Sequence, residues 1–162
     1  MKKKKFTKIR ENITEVEYQK LLTYLNGKED LTTNTKNNLR RTFILLYFTG
    51  MRINEVKQLK VKDINTIFEK EELIIVTHKT RKERKLFFSK EAIKQIKKHF
   101  VFNDNSKDED FIITTKGNPL KTPNSSTFIA KVNSFIQEVL GNRYSSHSFR
   151  AGIITDMSKS IN

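Results

Sequence analysis

The sequence lacks cysteine altogether in its 162 residues. This absence excludes disulfides, cysteine-based zinc sites and thiol chemistry within the chain. Long apolar runs are also missing, since no stretch approaches the roughly 18 residues that a membrane-spanning helix needs. A run of four lysines at positions 2–5 is followed by no hydrophobic signal core. We therefore expect an intracellular, soluble protein without a membrane partner.

Acidic residues are few relative to basic ones. There are 18 Asp and Glu against 32 Lys and Arg, which gives a formal net charge of +14 and an isoelectric point near 9.9. Such an excess favours a polyanionic partner, most simply nucleic acid. The length fits one domain with a proper core. We assign that domain to residues 13–162 and expect residues 1–12 to form a basic, disordered arm that attracts phosphates without sequence preference.

The apolar pattern predicts a mainly helical α+β fold. Helical periodicity and capping residues indicate helices at about 14–27, 34–49, 52–59, 89–100 and 122–140, and a last helix that starts near 147. Three β-rich runs, at 64–68, 73–77 and 84–88, are separated by charged turns. They predict a small three-stranded antiparallel sheet.

The segment 49–55 connects the second and third predicted helices, directly after an apolar run. Gly50 stands where a helix C-cap favours a residue that tolerates positive φ. Arg52 is predicted in the first turn of the next helix, where free backbone N–H groups and the helix dipole favour an anion. Glu55 lies three residues later and could orient the Arg52 guanidinium. The alternative is an ordinary intrahelical ion pair.

Two further clusters follow. The predicted hairpin turn at 78–85 holds five cations and one acid, a composition that fits either a solvated tip or a contact with phosphates. His147 and Arg150, spaced i and i+3, are predicted on one face of the last helix. The cations expected to contact DNA are two near the end of the third helix and three in the hairpin: Lys57, Lys60, Arg81, Lys82 and Arg84.

Taken in order, the Thr-Gly-x-Arg-Ile-x-Glu stretch, the basic hairpin and the His-x-x-Arg pair resemble the catalytic domain of the tyrosine recombinases, the phage integrase family. The resemblance implies that Arg52 and Arg150 grip the non-bridging oxygens of the scissile phosphate. It implies that Lys79, preferred over Lys82, is the general acid for the leaving 5′-oxygen, and that His147 assists proton transfer. Glu55 would support Arg52. The implied partner is double-stranded DNA, and no metal or other cofactor is implied.

The sequence departs from the family pattern near its end. The nucleophilic tyrosine of the family follows the second arginine, but no tyrosine follows Arg150 here. The four tyrosines all precede His147: Tyr18, Tyr24, Tyr47 and Tyr144. We therefore assign no nucleophile, expect a catalytic domain truncated at its C-terminus, and predict that it does not cleave DNA alone. Apolar residues after Arg150 are expected to mediate self-association or to bind a partner chain.

Three functions remain open at this point. The first is site-specific DNA recombination or integration through a phosphotyrosine. The second is a non-catalytic DNA-binding remnant that keeps the basic cradle. The third is a generic basic nucleic-acid-binding protein. A recombinase cradle must bring Arg52, Lys79, His147 and Arg150 around one point, whereas a generic basic protein has no reason to do so.

Overall fold

The computed structural model describes residues 11–77 and 80–149 of the chain. Two of the predicted site residues, Lys79 and Arg150, lie outside the described residues, as do most of the predicted arm and the apolar residues after Arg150. The elements in chain order are α1 (Glu15–Gly27), α2 (Thr33–Thr49), α3 (Ile53–Gln58), α4 (Val61–Lys70), β1 (Glu72–Val76), β2 (Glu83–Phe87), α5 (Lys90–His99) and α6 (Ser125–Leu140). The mainly helical fold with a small antiparallel sheet is confirmed. Within residues 11–77 and 80–149, no helix has the length and apolar character needed to span a membrane.

Helix α2 forms the centre of the core. Its apolar run at 43–46 is fully buried, because α1, α3 and α5 all contact this helix. The ring centroid of Phe43 lies 5.6 Å from that of Phe135 and 6.1 Å from that of Phe149. The first helix presents the predicted apolar stripe to this core, and all four of its members are buried: Tyr18, Leu21, Leu22 and Leu25.

The prediction of a first strand at 64–68 is wrong, because these residues belong to helix α4. Asp63 accepts a hydrogen bond from the backbone N–H of Lys60 at 2.8 Å, which stabilises the helix start. Val61, Ile64 and Ile67 then recur every three residues and are buried together. This amphipathic face outweighs the local preference of isoleucine and phenylalanine for strands.

The sheet of the described part of the chain has two strands, which form a hairpin. Leu73 pairs with Leu86 and Ile75 with Arg84 in the antiparallel register. Alternation places Leu73, Ile75 and Leu86 on the buried face of the hairpin. The predicted strands at 73–77 and 84–88 are therefore confirmed to within one residue.

The two later helices begin at side-chain caps. Ser89 accepts from the N–H of Ala92 at 3.1 Å and starts α5 as predicted. Helix α6 begins later than the predicted position at 122, because Asn124 is its N-cap and accepts from the N–H of Thr127 at 3.3 Å. Pro123 therefore precedes the cap instead of occupying the first turn.

Candidate functional site

The junction between α2 and α3 fixes the position of Arg52. Gly50 ends α2 in the left-handed conformation, with φ of 68°, and its N–H donates to the Leu46 carbonyl at 3.0 Å. The Thr49 hydroxyl oxygen accepts from the N–H of Met51 at 3.1 Å. The chain then turns into α3 with Arg52 as the N-cap, one residue before the predicted first turn. The Arg52 side chain is exposed to solvent.

Glu55 is the acidic group at the start of α3, and it is only 5% exposed. Its Oε1 accepts from the backbone N–H of Arg52 and from Nη2 of Arg84, both at 2.8 Å. Glu55 thus fixes the backbone of Arg52, whereas the sequence suggested a bond to its guanidinium. The negative charge expected at this helix start is supplied by the protein itself.

His147 enters the site from the loop after α6. The backbone N–H of Ser146 donates to Oδ1 of Asn133 on α6 at 2.9 Å. The Ser148 carbonyl accepts from the N–H of Ile13 at 3.1 Å. These bonds hold the loop against α6 and the segment before α1, and a helical turn starts at His147 as predicted. The imidazole is exposed.

Arg52 and His147 line one cavity of about 190 Å³. The α2–α3 junction supplies one wall, α6 a second, and the loop before the last helical turn a third. The other lining residues are Met51, Ile53, Asn54, Ile129, Asn133 and Ser146. The structure therefore brings together an arginine and a histidine that are far apart in the sequence, on a concave surface open to solvent.

Comparison with known proteins shows the family of this chain. Residues 11–161 match the model of the phage integrase family. The chain belongs to this family. No curated relative matches it.

Solved integrases and recombinases share the fold at low sequence identity. The XerA recombinase gives a TM-score of 0.67 at 13% identity over 100% of this chain and 54% of that chain. The XerH site-specific recombinase bound to palindromic difH substrate gives a TM-score of 0.64 at 19% identity, over 94% of this chain and 43% of that chain. The Tn1549 transposon integrase in complex with a circular intermediate DNA gives a TM-score of 0.63 at 16% identity, over 99% of this chain and 56% of that chain. This phage integrase family member therefore spans about half the length of these solved proteins.

Three of the five cations expected to contact DNA have partners within the protein: Lys57, Lys60 and Arg84. Lys57 is 7% exposed, and its Nζ donates to Oγ of Ser125 at 2.9 Å, joining α3 to α6. Burial lowers the pKa of Lys57. This burial argues against Lys57 as a phosphate contact in the integrase domain.

Lys60 is held by an acidic residue of the long loop before α6. Its Nζ lies 2.7 Å from Oε2 of Glu109, and Nζ of Lys62 lies 2.7 Å from Oε1 of the same carboxylate. Hydrogen bonds from Lys60 and then Lys62 lower the pKa of Glu109 to about 2. A phosphate that binds Lys60 must therefore compete with Glu109.

The hairpin contributes the remaining predicted cations. Arg81 and Lys82 are exposed in the β1–β2 turn, where Arg81 has a positive φ of 49°. Arg84, by contrast, is paired with Glu55. Arg81 and Lys82 are accordingly the predicted DNA contacts that the structure leaves accessible.

Sequence reasoning missed two structural partners of the site. Asn133 is one residue among many on α6, and no spacing singles it out. The Arg84–Glu55 pair had a detectable signal, because Arg84 is two residues before Leu86 and alternation places both on the same face of the hairpin. An arginine on the buried face of a strand requires an acidic partner.

Proposed function

We propose that this chain is the DNA-binding catalytic domain of a tyrosine recombinase and acts in site-specific recombination or integration of DNA. The observation that carries the proposal is the cavity shared by Arg52 and His147 in a member of the phage integrase family. The net charge of +14 adds a general attraction for DNA. A DNA substrate also implies an intracellular location.

In this proposal Arg52 holds a non-bridging oxygen of the scissile phosphate. A guanidinium suits this task because it is permanently charged and can bind phosphate with two parallel hydrogen bonds. Its positive charge also stabilises the charge that develops on the phosphate in the transition state. Arg150 is predicted to hold the second oxygen, so that the arginines supply the charge that Mg²⁺ supplies in other phosphoryl-transfer sites.

His147 and Lys79 are assigned the proton transfers. In the family reaction a tyrosine hydroxyl attacks the phosphorus, the phosphotyrosine bond forms, and the 5′-oxygen leaves. Lys79 is predicted to donate the proton that the leaving oxygen needs. His147 is exposed on the cavity wall beside Arg52, where its ring can reach a phosphate oxygen and assist the transfer.

The nucleophile is the part of the site that these 162 residues do not provide. Tyr18 is buried and stacks on Tyr47 with ring centroids 4.0 Å apart, so neither ring can meet a phosphate in the cavity without disrupting this stack. Tyr144 precedes the His147 turn, and Tyr24 lies on α1. We therefore expect the chain on its own to bind DNA without cleaving it.

Two of the structural neighbours support DNA as the partner. XerH is solved with difH substrate and the Tn1549 integrase with a circular intermediate DNA. Self-association, or binding of a partner chain, through the residues after Arg150 remains a prediction from the sequence. Sedimentation analysis of the chain across concentrations tests it, and a monomer at all concentrations, with no partner chain bound, would contradict it.

Two assays on one preparation test the proposed function. Fluorescence anisotropy with a labelled DNA duplex should show binding whose log affinity falls linearly with log salt concentration. A nicked duplex that traps covalent intermediates, resolved on a denaturing gel, should show no protein–DNA adduct. Absence of binding at low salt would refute DNA recognition. An adduct would show that one of the four tyrosines acts as a nucleophile.

A further inference from the structure

Arg84 connects the hairpin to the cavity through Glu55. It lies on β2 and turns toward the buried face, with a side chain 33% exposed. Its Nη2 donates to Oε1 of Glu55 at 2.8 Å, and the same oxygen accepts from the backbone N–H of Arg52 at 2.8 Å. One carboxylate oxygen therefore links the β1–β2 hairpin to the N-cap residue of α3.

Arg84 supplies the opposite charge beside the buried Glu55 carboxylate. A carboxylate this deeply buried is costly unless an opposite charge compensates it. Its other oxygen, Oε2, is buried and has no hydrogen-bond partner among residues 11–77 and 80–149. Without Arg84, the Glu55 carboxylate would rotate toward water to regain a partner for its charge. This rotation would weaken the hydrogen bond that Glu55 accepts from the Arg52 N–H.

We propose that Arg84 is a positioning residue for Arg52 and acts through Glu55. Arg84 is not itself a phosphate contact, because its guanidinium is already paired with the Glu55 carboxylate. The consequence for DNA binding rests on the proposed function, whereas the consequence for the Arg52 backbone does not. The hairpin that carries Arg81 and Lys82 is thereby held at a fixed position relative to Arg52.

The first test measures the backbone directly, in the absence of DNA. Amide hydrogen exchange is followed in the full chain for the wild type, Arg84→Gln and Arg84→Lys. Arg84→Gln should speed exchange of the Arg52 amide roughly tenfold, as expected when a hydrogen bond of the cap is lost. Amides in the middle of α6 should keep their protection, and Arg84→Lys should restore part of the protection at Arg52.

Lys85→Gln is the matched control. It removes the same charge from the neighbouring position of β2, where Lys85 lies on the opposite face and 3.7 Å from a Glu72 carboxylate oxygen. Exchange at Arg52 should not change in this variant. Unchanged exchange at Arg52 in Arg84→Gln, or an equal change in Lys85→Gln, would overturn the positioning role. This holds even if the variants bind DNA poorly.

The second test is a double-mutant cycle in DNA binding. Arg84→Gln should weaken binding roughly tenfold in the wild-type background, within the usual range for coupled neighbours. In an Arg52→Gln background it should weaken binding by less than about twofold. The variant Glu55→Gln/Arg84→Gln should bind more tightly than Arg84→Gln, because a neutral amide oxygen can accept from the Arg52 N–H without a buried charge.

The outcomes of the cycle are distinguishable. A tenfold loss in both backgrounds would identify Arg84 as an independent phosphate contact and refute the positioning role. A wild-type chain that does not bind DNA at low salt would refute the proposed function, and the exchange experiment would still decide whether Arg84 positions Arg52.

Discussion

Gly50 is the residue on which the direction of the Arg52 backbone depends, and replacing it has a calculable cost. Its φ of 68° is left-handed, and the residue is buried. A side chain in this conformation costs about 1–2 kcal/mol. The lower conformational entropy of the unfolded chain with alanine offsets about 0.4–1 kcal/mol of this cost. Gly50→Ala should therefore lower the free energy of unfolding by about 1 kcal/mol.

Gly27→Ala is the matched control for this substitution. Gly27 ends α1 without a positive φ, and a Cβ added there meets nothing within 4 Å. The same change should raise the free energy of unfolding there by about 0.4–1 kcal/mol. Gly50→Asn should cost less than Gly50→Ala, since asparagine tolerates the left-handed conformation.

Urea unfolding followed by far-ultraviolet circular dichroism measures all three free energies. Opposite signs for Gly50→Ala and Gly27→Ala are the expected result. A Gly50→Ala variant as stable as the wild type would refute the claim that this junction needs the left-handed conformation. DNA affinity should fall in Gly50→Ala and stay unchanged in Gly27→Ala, because only the first change lies next to Arg52.

Two further changes test the core around the site. Tyr18→Phe should raise the free energy of urea unfolding by about 1 kcal/mol, because it removes a buried hydroxyl without a partner in the described chain. Tyr24→Phe, at a residue 43% exposed, should change that free energy little. Lys57→Met should leave DNA affinity unchanged and alter the pH dependence of stability. Burial lowers the pKa of Lys57 in the folded state below the unfolded-state value near about 10.4. Between these two pKa values only the unfolded state binds the proton, so the free energy of unfolding rises with pH there. This gain is complete above about pH 10.4 and is lost as pH falls through the folded-state pKa. Wild-type stability should therefore rise relative to Lys57→Met between pH 7 and about 10.5; a constant difference in urea titrations would contradict this.

Much of the fold could be predicted because its signals are local. Gly50 and Ser89 are recognisable caps, and the stripe in α1 follows helical spacing. The segment 64–68 misled because its isoleucines fit a strand as well as a helix. The buried face of Val61, Ile64 and Ile67 decides for a helix, and its start at Lys60 was hard to recognise because lysine is not a typical N-cap residue.

The candidate site was less predictable, since its geometry is tertiary. Family resemblance indicated Arg52 and His147, but no periodicity brings the two into one cavity. Burial of Lys57 depends on where Ser125 of α6 meets α3, which the local sequence does not encode. The sequence suggested that Glu55 bonds the Arg52 guanidinium, whereas in the structure it accepts from the Arg52 backbone N–H and from Arg84 of strand β2.

The central claim is that Arg52 grips a DNA phosphate, and one comparison of dissociation constants tests it most directly. Arg52→Gln is measured beside Lys94→Gln, which removes the same charge from the exposed face of α5. Loss of a charge-assisted bond costs about 1.5–3 kcal/mol, so Arg52→Gln should weaken binding of a DNA duplex roughly 10- to 100-fold. Lys94→Gln should weaken it less than about twofold. Equal losses in the two variants would show that Arg52 contributes only general charge, and would contradict the account.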